Sequence, residues 1–211
     1  MKFKFLAAVA AFAIASPALA QTVVNSAPAA GFRYGSGNDY TPANAVVSTT
    51  EANELALRFH IRGVVAPASD ANAVYSFALG STPLNFDWSL NGSRADAILT
   101  FTNLLTNAQF SYSPFLPGND NYSGGMSNPN LFQNSNQLNF LPIGFNPNQN
   151  NTYRAVFTAG GNSVTAFARI GAGAPAVPEP ATWAMMLVGF GGMGVAMRRN
   201  RRKSATALQV A

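Results

Sequence analysis

Few side chains in this 211-residue chain could do chemistry. The chain contains no cysteine and a single histidine, His60. The lack of cysteine excludes disulfides, thiolate nucleophiles, iron–sulfur clusters and cysteine-ligated zinc, and one histidine excludes a two-histidine mechanism or a histidine-rich metal site. His60 alternates with Arg58 and Arg62 along one side of residues 55–62. The three side chains could bind an anionic sugar or phosphate, but the pattern is more typical of the solvated outer face of a strand.

Carboxylates are the second candidates, because glycoside hydrolysis uses two carboxyl groups at a fixed separation. The candidates are Asp87, Glu51, Glu54 and Asp96. Nothing in their spacing brings two of them together, so turn-forming or salt-bridging roles are favoured. We therefore predict no catalytic residue.

Trp88 could offer its ring as a platform for a sugar. It shares one side of the alternating run 84–91 with Phe86 and Leu90, which favours a place in the core. A glycan contact through Trp88 is the alternative.

Two oxygen-rich segments, 35–39 and 118–121, could hold Ca²⁺. Each contains one carboxylate and lacks the spacing of an EF-hand, so plain turns are favoured. The chain also has no phosphate-binding loop and no Gly-x-Ser-x-Gly elbow. We expect no metal and no cofactor.

The elements that must position these residues are strands. Residues 55–62 and 84–91 alternate strictly between apolar and polar positions. Further candidate strands are 45–49, 73–79, 97–102, 108–112, 137–140, 153–158 and 163–170. Gly160 and Gly161 predict a tight hairpin between the last two. Residues 21–177 therefore predict one exported all-β domain, an antiparallel β-sandwich.

Two segments are less regular. Residues 93–105 begin like a helix capping box, but their alternation and β-branched content favour a strand. Residues 117–151 hold 11 of the 21 asparagines of the domain. This Asn-rich segment predicts a long irregular loop, interrupted by a short strand around Leu138.

The net charge of +5 is concentrated at the two ends of the chain. Residues 21–177 carry six arginines against seven acids, a net charge of −1. The domain therefore offers no basic surface for nucleic acid.

Residues 1–20 have the features of a signal peptide. Lys2 and Lys4 precede an apolar run at 5–15, and Ala18 and Ala20 form the small-residue pattern that precedes cleavage. The run is too short to span a bilayer. We predict export by the Sec machinery and removal of the peptide by signal peptidase.

Residues 181–197 are uncharged, with Trp183 near the outer edge, and span about 26 Å as a helix. A basic stop at 198–203 follows. Its cations are Arg198, Arg199, Arg201, Arg202 and Lys203. By the positive-inside rule this flank lies in the cytoplasm and the domain outside. We predict one transmembrane helix at 181–197 and a disordered tail at 204–211.

Residues 178–203 combine Pro178-Glu179-Pro180, Trp183, an apolar span and the basic stop in a fixed order. This segment closely resembles the PEP-CTERM sorting signal. The resemblance implies a Gram-negative envelope protein that is held briefly in the inner membrane. An exosortase would then process it near Pro178, Glu179 and Pro180 and release it to the cell surface or the extracellular polysaccharide.

The domain resembles a β-domain often found ahead of such tails, in scattered motifs within residues 31–172. That resemblance implies a fold and no activity. Together these features predict a non-enzymatic structural or interaction protein of the envelope or biofilm matrix. The alternatives are a carbohydrate-binding module that uses Trp88 and the Asn-rich segment, and an extracellular hydrolase acting through Asp87 or Glu54.

Overall fold

A computed structural model describes residues 20–35, 37–115, 122–124 and 128–173. The predicted signal peptide before residue 20, the candidate Ca²⁺ segment 118–121, the sorting signal, the membrane span and the tail lie outside these residues. Within the described ranges the fold contains strands and one turn of 3-10 helix, Leu138–Phe140, and no α-helix. No helix of the described part is long and apolar enough to cross a membrane.

The described strands form two sheets. The six-stranded sheet has the order β1-β2-β3-β5-β9-β8, and the five-stranded sheet has the order β4-β11-β10-β6-β7. In chain order the strands are β1 Gln21–Ser26, β2 Ala45–Thr49, β3 Asn53–Ile61, β4 Val74–Phe77, β5 Leu84–Gly92, β6 Ile98–Asn103, β7 Gln109–Tyr112, β8 Tyr122–Gly124, β9 Asn128–Gln137, β10 Asn151–Ala159 and β11 Asn162–Ile170. All pairs are antiparallel except β4 with β11. The predicted all-β, largely antiparallel fold is confirmed.

The main core lies where the inner faces of the two sheets meet. The ring of Trp88 on β5 lies edge-on to Phe157 on β10, with 5.6 Å between ring centroids. Phe86, two residues earlier, contacts Phe101 of β6 at 4.5 Å. Because side chains of a strand alternate between faces, the apolar positions of each alternating run supply this layer.

Several local predictions are confirmed. The strand predicted at 97–102 is β6, Ile98–Asn103, and this segment is not a helix. The hairpin between β10 and β11 has Gly160 and Gly161 as its two loop residues, since Ala159 pairs with Asn162. Both glycines have positive φ, as a two-residue turn that matches the strand twist requires.

The prediction for the Asn-rich segment 117–151 is wrong in its centre. β9 runs for 10 residues there, between β5 and β8, and residues 138–140 form the 3-10 turn instead of a strand. Polar side chains such as Gln133 and Ser135 are buried and hydrogen-bonded on β9, so the strand shows no simple hydrophobic alternation. β1 was not predicted either, because it is a mostly exposed edge strand.

The central strands of the six-stranded sheet are covered on both faces. Residues 27–44, here named the covering loop, join β1 to β2 and cross the outer face of β3, β5 and β9. Gln133 of β9 accepts a hydrogen bond from Arg33 N at 2.9 Å and donates one to Gly31 O. Phe32 of the loop packs with Ala45, Val47 and Ala56 in a second, small apolar cluster. The central strands are therefore buried on the side that an open sandwich exposes to solvent.

Candidate functional site

The polar residues singled out on β3 and β5 meet under the covering loop. Arg58 and Asp87 are direct partners in the register of β3 and β5, and Asp87 in turn faces Ser135 of β9. Alternation places Arg58 and His60 on the outer face of the sheet, opposite the core side chains Leu57 and Phe59. Strand pairing brings these side chains together, and no local sequence pattern specifies which strands pair.

Arg58 is fully buried and pairs with two carboxylates. Its Nε donates to Asp87 Oδ2 at 2.7 Å, and its Nη2 donates to Asp39 Oδ1 at 2.7 Å. The side chain of Asp39 is also almost completely buried, while that of Asp87 is fully so. Two well-formed ion pairs thus offset the desolvation of one guanidinium.

Neutral groups of the covering loop complete the coordination of Arg58. Nη2 also donates to Asn38 Oδ1 at 2.6 Å, and Nη1 donates to Thr41 O at 2.6 Å and Ala43 O at 3.1 Å. The five N–H groups of the guanidinium therefore all have acceptors. The ring of Phe32 lies over the guanidinium, with its centroid 4.0 Å from Cζ. Arg58 fastens the covering loop to the sheet.

His60 extends the cluster on the other side of Asp87. Its Nε2 lies 3.0 Å from Asp87 Oδ1, and its Nδ1 lies 2.9 Å from Ile61 O and 3.2 Å from Val64 O. A carbonyl only accepts, so Nδ1 carries a proton, and an ionised Asp87 requires one on Nε2 as well. This geometry fits a protonated imidazole.

The pKa shifts agree with that charge state. Burial by itself lowers the pKa of His60, but the hydrogen bond and charge of Asp87 outweigh it, so the pKa is raised. Burial alone would raise the pKa of Asp39, yet hydrogen bonds from Thr41 and the charge of Arg58 hold it below its usual value. When His60 is protonated, its charge and that of Arg58 balance the two carboxylates.

The prediction of a solvated face is wrong for Arg58 and His60, and it holds only for Arg62, which is exposed. The cause is the covering loop, which removes the outer face of β3 from water. The alternative of an anion site also fails for the first two residues, because their donors are already occupied. The salt-bridging role predicted for Asp87 is confirmed.

The remaining carboxylates are not brought to Asp87. Glu54 accepts hydrogen bonds from Ala29 N at 2.9 and 3.2 Å, so it also holds the covering loop. Glu51 and Asp96 lie in exposed turns, before β3 and after β5, at the end of the strand pair where Asn53 faces Gly92. The strand register therefore separates these three carboxylates from Asp87, which pairs with Arg58 in the middle of the two strands.

The turn predicted at 35–39 is confirmed on its described residues. Asn38 N donates to Gly35 O at 3.0 Å, and Asp39 Oδ1 accepts from Thr41 N at 2.7 Å. Asp39 Oδ2 accepts from Ala66 N at 2.7 Å. The sequence pattern placed Asp39 in a turn or a possible Ca²⁺ segment and gave no sign of its pairing with Arg58. In the described part of the chain no three His, Cys, Asp or Glu side chains are grouped to hold a metal ion.

Trp88 is fully buried, so its predicted place in the core is confirmed. Its ring lies edge-on to Phe115 and Phe157, and its Nε1 is 3.4 Å from Asn136 Oδ1. No face of the indole is open to solvent. The alternative of a glycan contact through Trp88 therefore has no exposed ring surface to use.

Residues 176–202 match the family model described as the PEP-CTERM protein-sorting motif. The matched range includes Pro178, Glu179, Pro180 and Trp183, together with the arginines of the basic stop. The chain therefore carries a PEP-CTERM sorting signal, which marks a protein exported to the cell envelope and sorted by an exosortase. Neither the curated proteins nor the solved structures contain a match to this chain.

Proposed function

We propose that this chain is a non-enzymatic structural or interaction protein of the cell envelope or biofilm matrix. The observation that carries the proposal is the PEP-CTERM motif at 176–202, directly after a folded β-domain. The motif specifies where the chain is sent. The β-domain is the part that acts after delivery.

The proposed route follows the order of the segments. The Sec machinery exports the chain, and signal peptidase cleaves after Ala20. Residues 181–197 hold the chain in the inner membrane, with the basic stop in the cytoplasm. An exosortase-type enzyme then processes the chain near residues 178–180, and the domain reaches the cell surface or the extracellular polysaccharide.

The use of the polar side chains supports a non-enzymatic role. Four of the five N–H donors of Arg58 hold the covering loop, and the fifth is bonded to Asp87. The ring nitrogens of His60 are bonded to Asp87 and to the carbonyl of Ile61. Asp87 is enclosed between Arg58 and His60. A general base needs a free nitrogen or oxygen within reach of a substrate, and these groups have none free.

The test is a triple variant, Pro178→Ala with Glu179→Ala and Pro180→Ala, followed by cell fractionation. We expect the variant to stay in the membrane fraction while the unaltered chain is released. The intact mass of the released form should show that residues 1–20 and the segment after the processing site are gone.

A matched control is Ser204→Ala with Thr206→Ala, which alters the chain just beyond the basic stop and should leave release unchanged. Unchanged release of the triple variant would contradict sorting through this motif. A released protein that retained residues 181–211 would show that the segment is a permanent anchor.

A further inference from the structure

A small pocket opens beside the charge cluster, at the end of β5 and β9. Its lining includes Gly37 of the covering loop, Arg62, Asn85, Ser135, Gln137 and Phe140. Its volume is about 100 Å³. We name it the Phe140 pocket.

Phe140 is the feature of this pocket that packing does not explain. It is 70% exposed, although it is a large apolar side chain. The turn that presents it is held firmly, because Leu138 before it and Ile143 after it are both buried in the main core. Leu141 N also donates to Leu138 O at 3.1 Å. Phe140 is therefore an exposed aromatic side chain on an anchored turn, beside a polar cavity.

Asn85 contributes a second unexplained group. Its side chain is 1% exposed, and its Nδ2 donates to Ser135 Oγ at 2.9 Å. Its Oδ1 is buried and accepts no hydrogen bond in the described structure. Buried amide oxygens are nearly always paired, so this one is available to a donor that enters the pocket.

The charge and size of the pocket restrict the ligand. Its lining contains one cation, Arg62, and no acid, while its amide groups can both donate and accept. A volume of about 100 Å³ is far below that of ordinary ligand cavities, so a whole sugar ring does not fit inside. It has room for one polar substituent, and the apolar part of the ligand would remain on Phe140 at the rim.

We propose that the Phe140 pocket binds one unit of an acidic polysaccharide. The C–H face of a uronic acid ring stacks on Phe140, its carboxylate pairs with Arg62, and a hydroxyl group enters the pocket and donates to Asn85 Oδ1. Stacking on an aromatic face combined with an arginine and amide groups suits a ligand that is apolar on one face and polar at its edges. The proposal rests on the proposed interaction role outside the cell, and it assigns that role a ligand class and a site.

The test measures binding of the purified full chain, in mild detergent, to immobilised polygalacturonate and to dextran as a neutral polymer. We expect binding to polygalacturonate that is at least about tenfold stronger than to dextran. Phe140→Ala and Arg62→Ala should each weaken it by about tenfold, whereas Phe140→Tyr should restore it. Both residues are exposed, so these variants should keep the fold.

Matched controls are Leu79→Ala, a second exposed apolar side chain, and Arg169→Ala, an arginine on the other sheet. Both should bind like the unaltered chain. No binding to polygalacturonate, or equal binding by the unaltered chain and Phe140→Ala, would overturn the site. The acidic ligand would be overturned if the unaltered chain bound polygalacturonate and dextran equally and Arg62→Ala changed neither binding. Each of these failures would leave sorting through residues 176–202 intact, because release is measured in cells and not by binding.

Discussion

Replacement of Arg58 by methionine should destabilise the β-domain severely. The change keeps most of the side-chain volume but removes a cation that is paired with both Asp87 and Asp39. Both carboxylates then stay buried with incomplete compensation. Removal of one partner of a buried ion pair costs about 3–5 kcal/mol, a large part of the about 5–15 kcal/mol that stabilises a typical domain.

The assay is urea unfolding followed by the fluorescence of Trp88, which is buried against Phe157. The second tryptophan, Trp183, is replaced by phenylalanine throughout, so that the signal reports on the domain. With a denaturant slope of about 2 kcal/mol per molar urea, a loss of about 4 kcal/mol lowers the midpoint by about 2 M.

Arg62→Met is the matched control, because Arg62 has the same side chain and lies just beyond β3 in an exposed position. Its change in stability should stay within about 0.5 kcal/mol. Arg58→Lys should also destabilise, since an ammonium cannot satisfy the five acceptor directions around a guanidinium. Equal midpoints for Arg58→Met and Arg62→Met would refute the view that this cluster holds the covering loop.

Two further predictions concern the same region. The pKa of His60 is raised in the folded chain above 6.5, so its protonation stabilises the fold fully below about pH 6.5, and this contribution is lost as pH rises through the folded-state pKa. Unfolding free energies measured upward from pH 6 should therefore fall, and His60→Gln should flatten that fall. The pKa of Glu54 is also raised, but from 4.5, so its contribution begins to be lost at a lower pH as pH rises. Gly35→Ala should destabilise by at least about 1–3 kcal/mol, because residue 35 has a φ of 110° and an added Cβ would clash with the backbone of Ser135. Gly63→Ala, with a φ of 75° and open space around it, is the control and should cost less in the same urea assay.

The strands that line the core on one face could be predicted from their residues. In β3, β5, β10 and β11 the apolar positions alternate, and alternation is a local property of an extended chain. The Gly160–Gly161 turn follows in the same way from the φ angles that only glycine adopts readily. Trp88 could be assigned to the core because its neighbours on the same side are apolar.

β9 could not be predicted by this reasoning. Its buried polar residues, among them Gln133 and Ser135, lie on the outer face, and they are satisfied by partners from β5 and the covering loop. Such polar side chains can be buried only because these partners satisfy their hydrogen bonds. The Phe140 pocket was missed for a related reason, since its lining residues come from the covering loop, the end of β3, β5, β9 and the turn after β9.

The sequence alone determined the destination of this protein and the periodicity of its strands. The sorting motif at 176–202 is a contiguous segment, and strand alternation needs only neighbouring residues. The tertiary structure alone decided that Arg58 and His60 are buried. Alternation shows which side chains share a face of a strand, whereas burial depends on whether a distant segment covers that face. Here that segment is the covering loop, whose Asp39 lies 19 residues before Arg58 in the sequence but 2.7 Å from it in the fold.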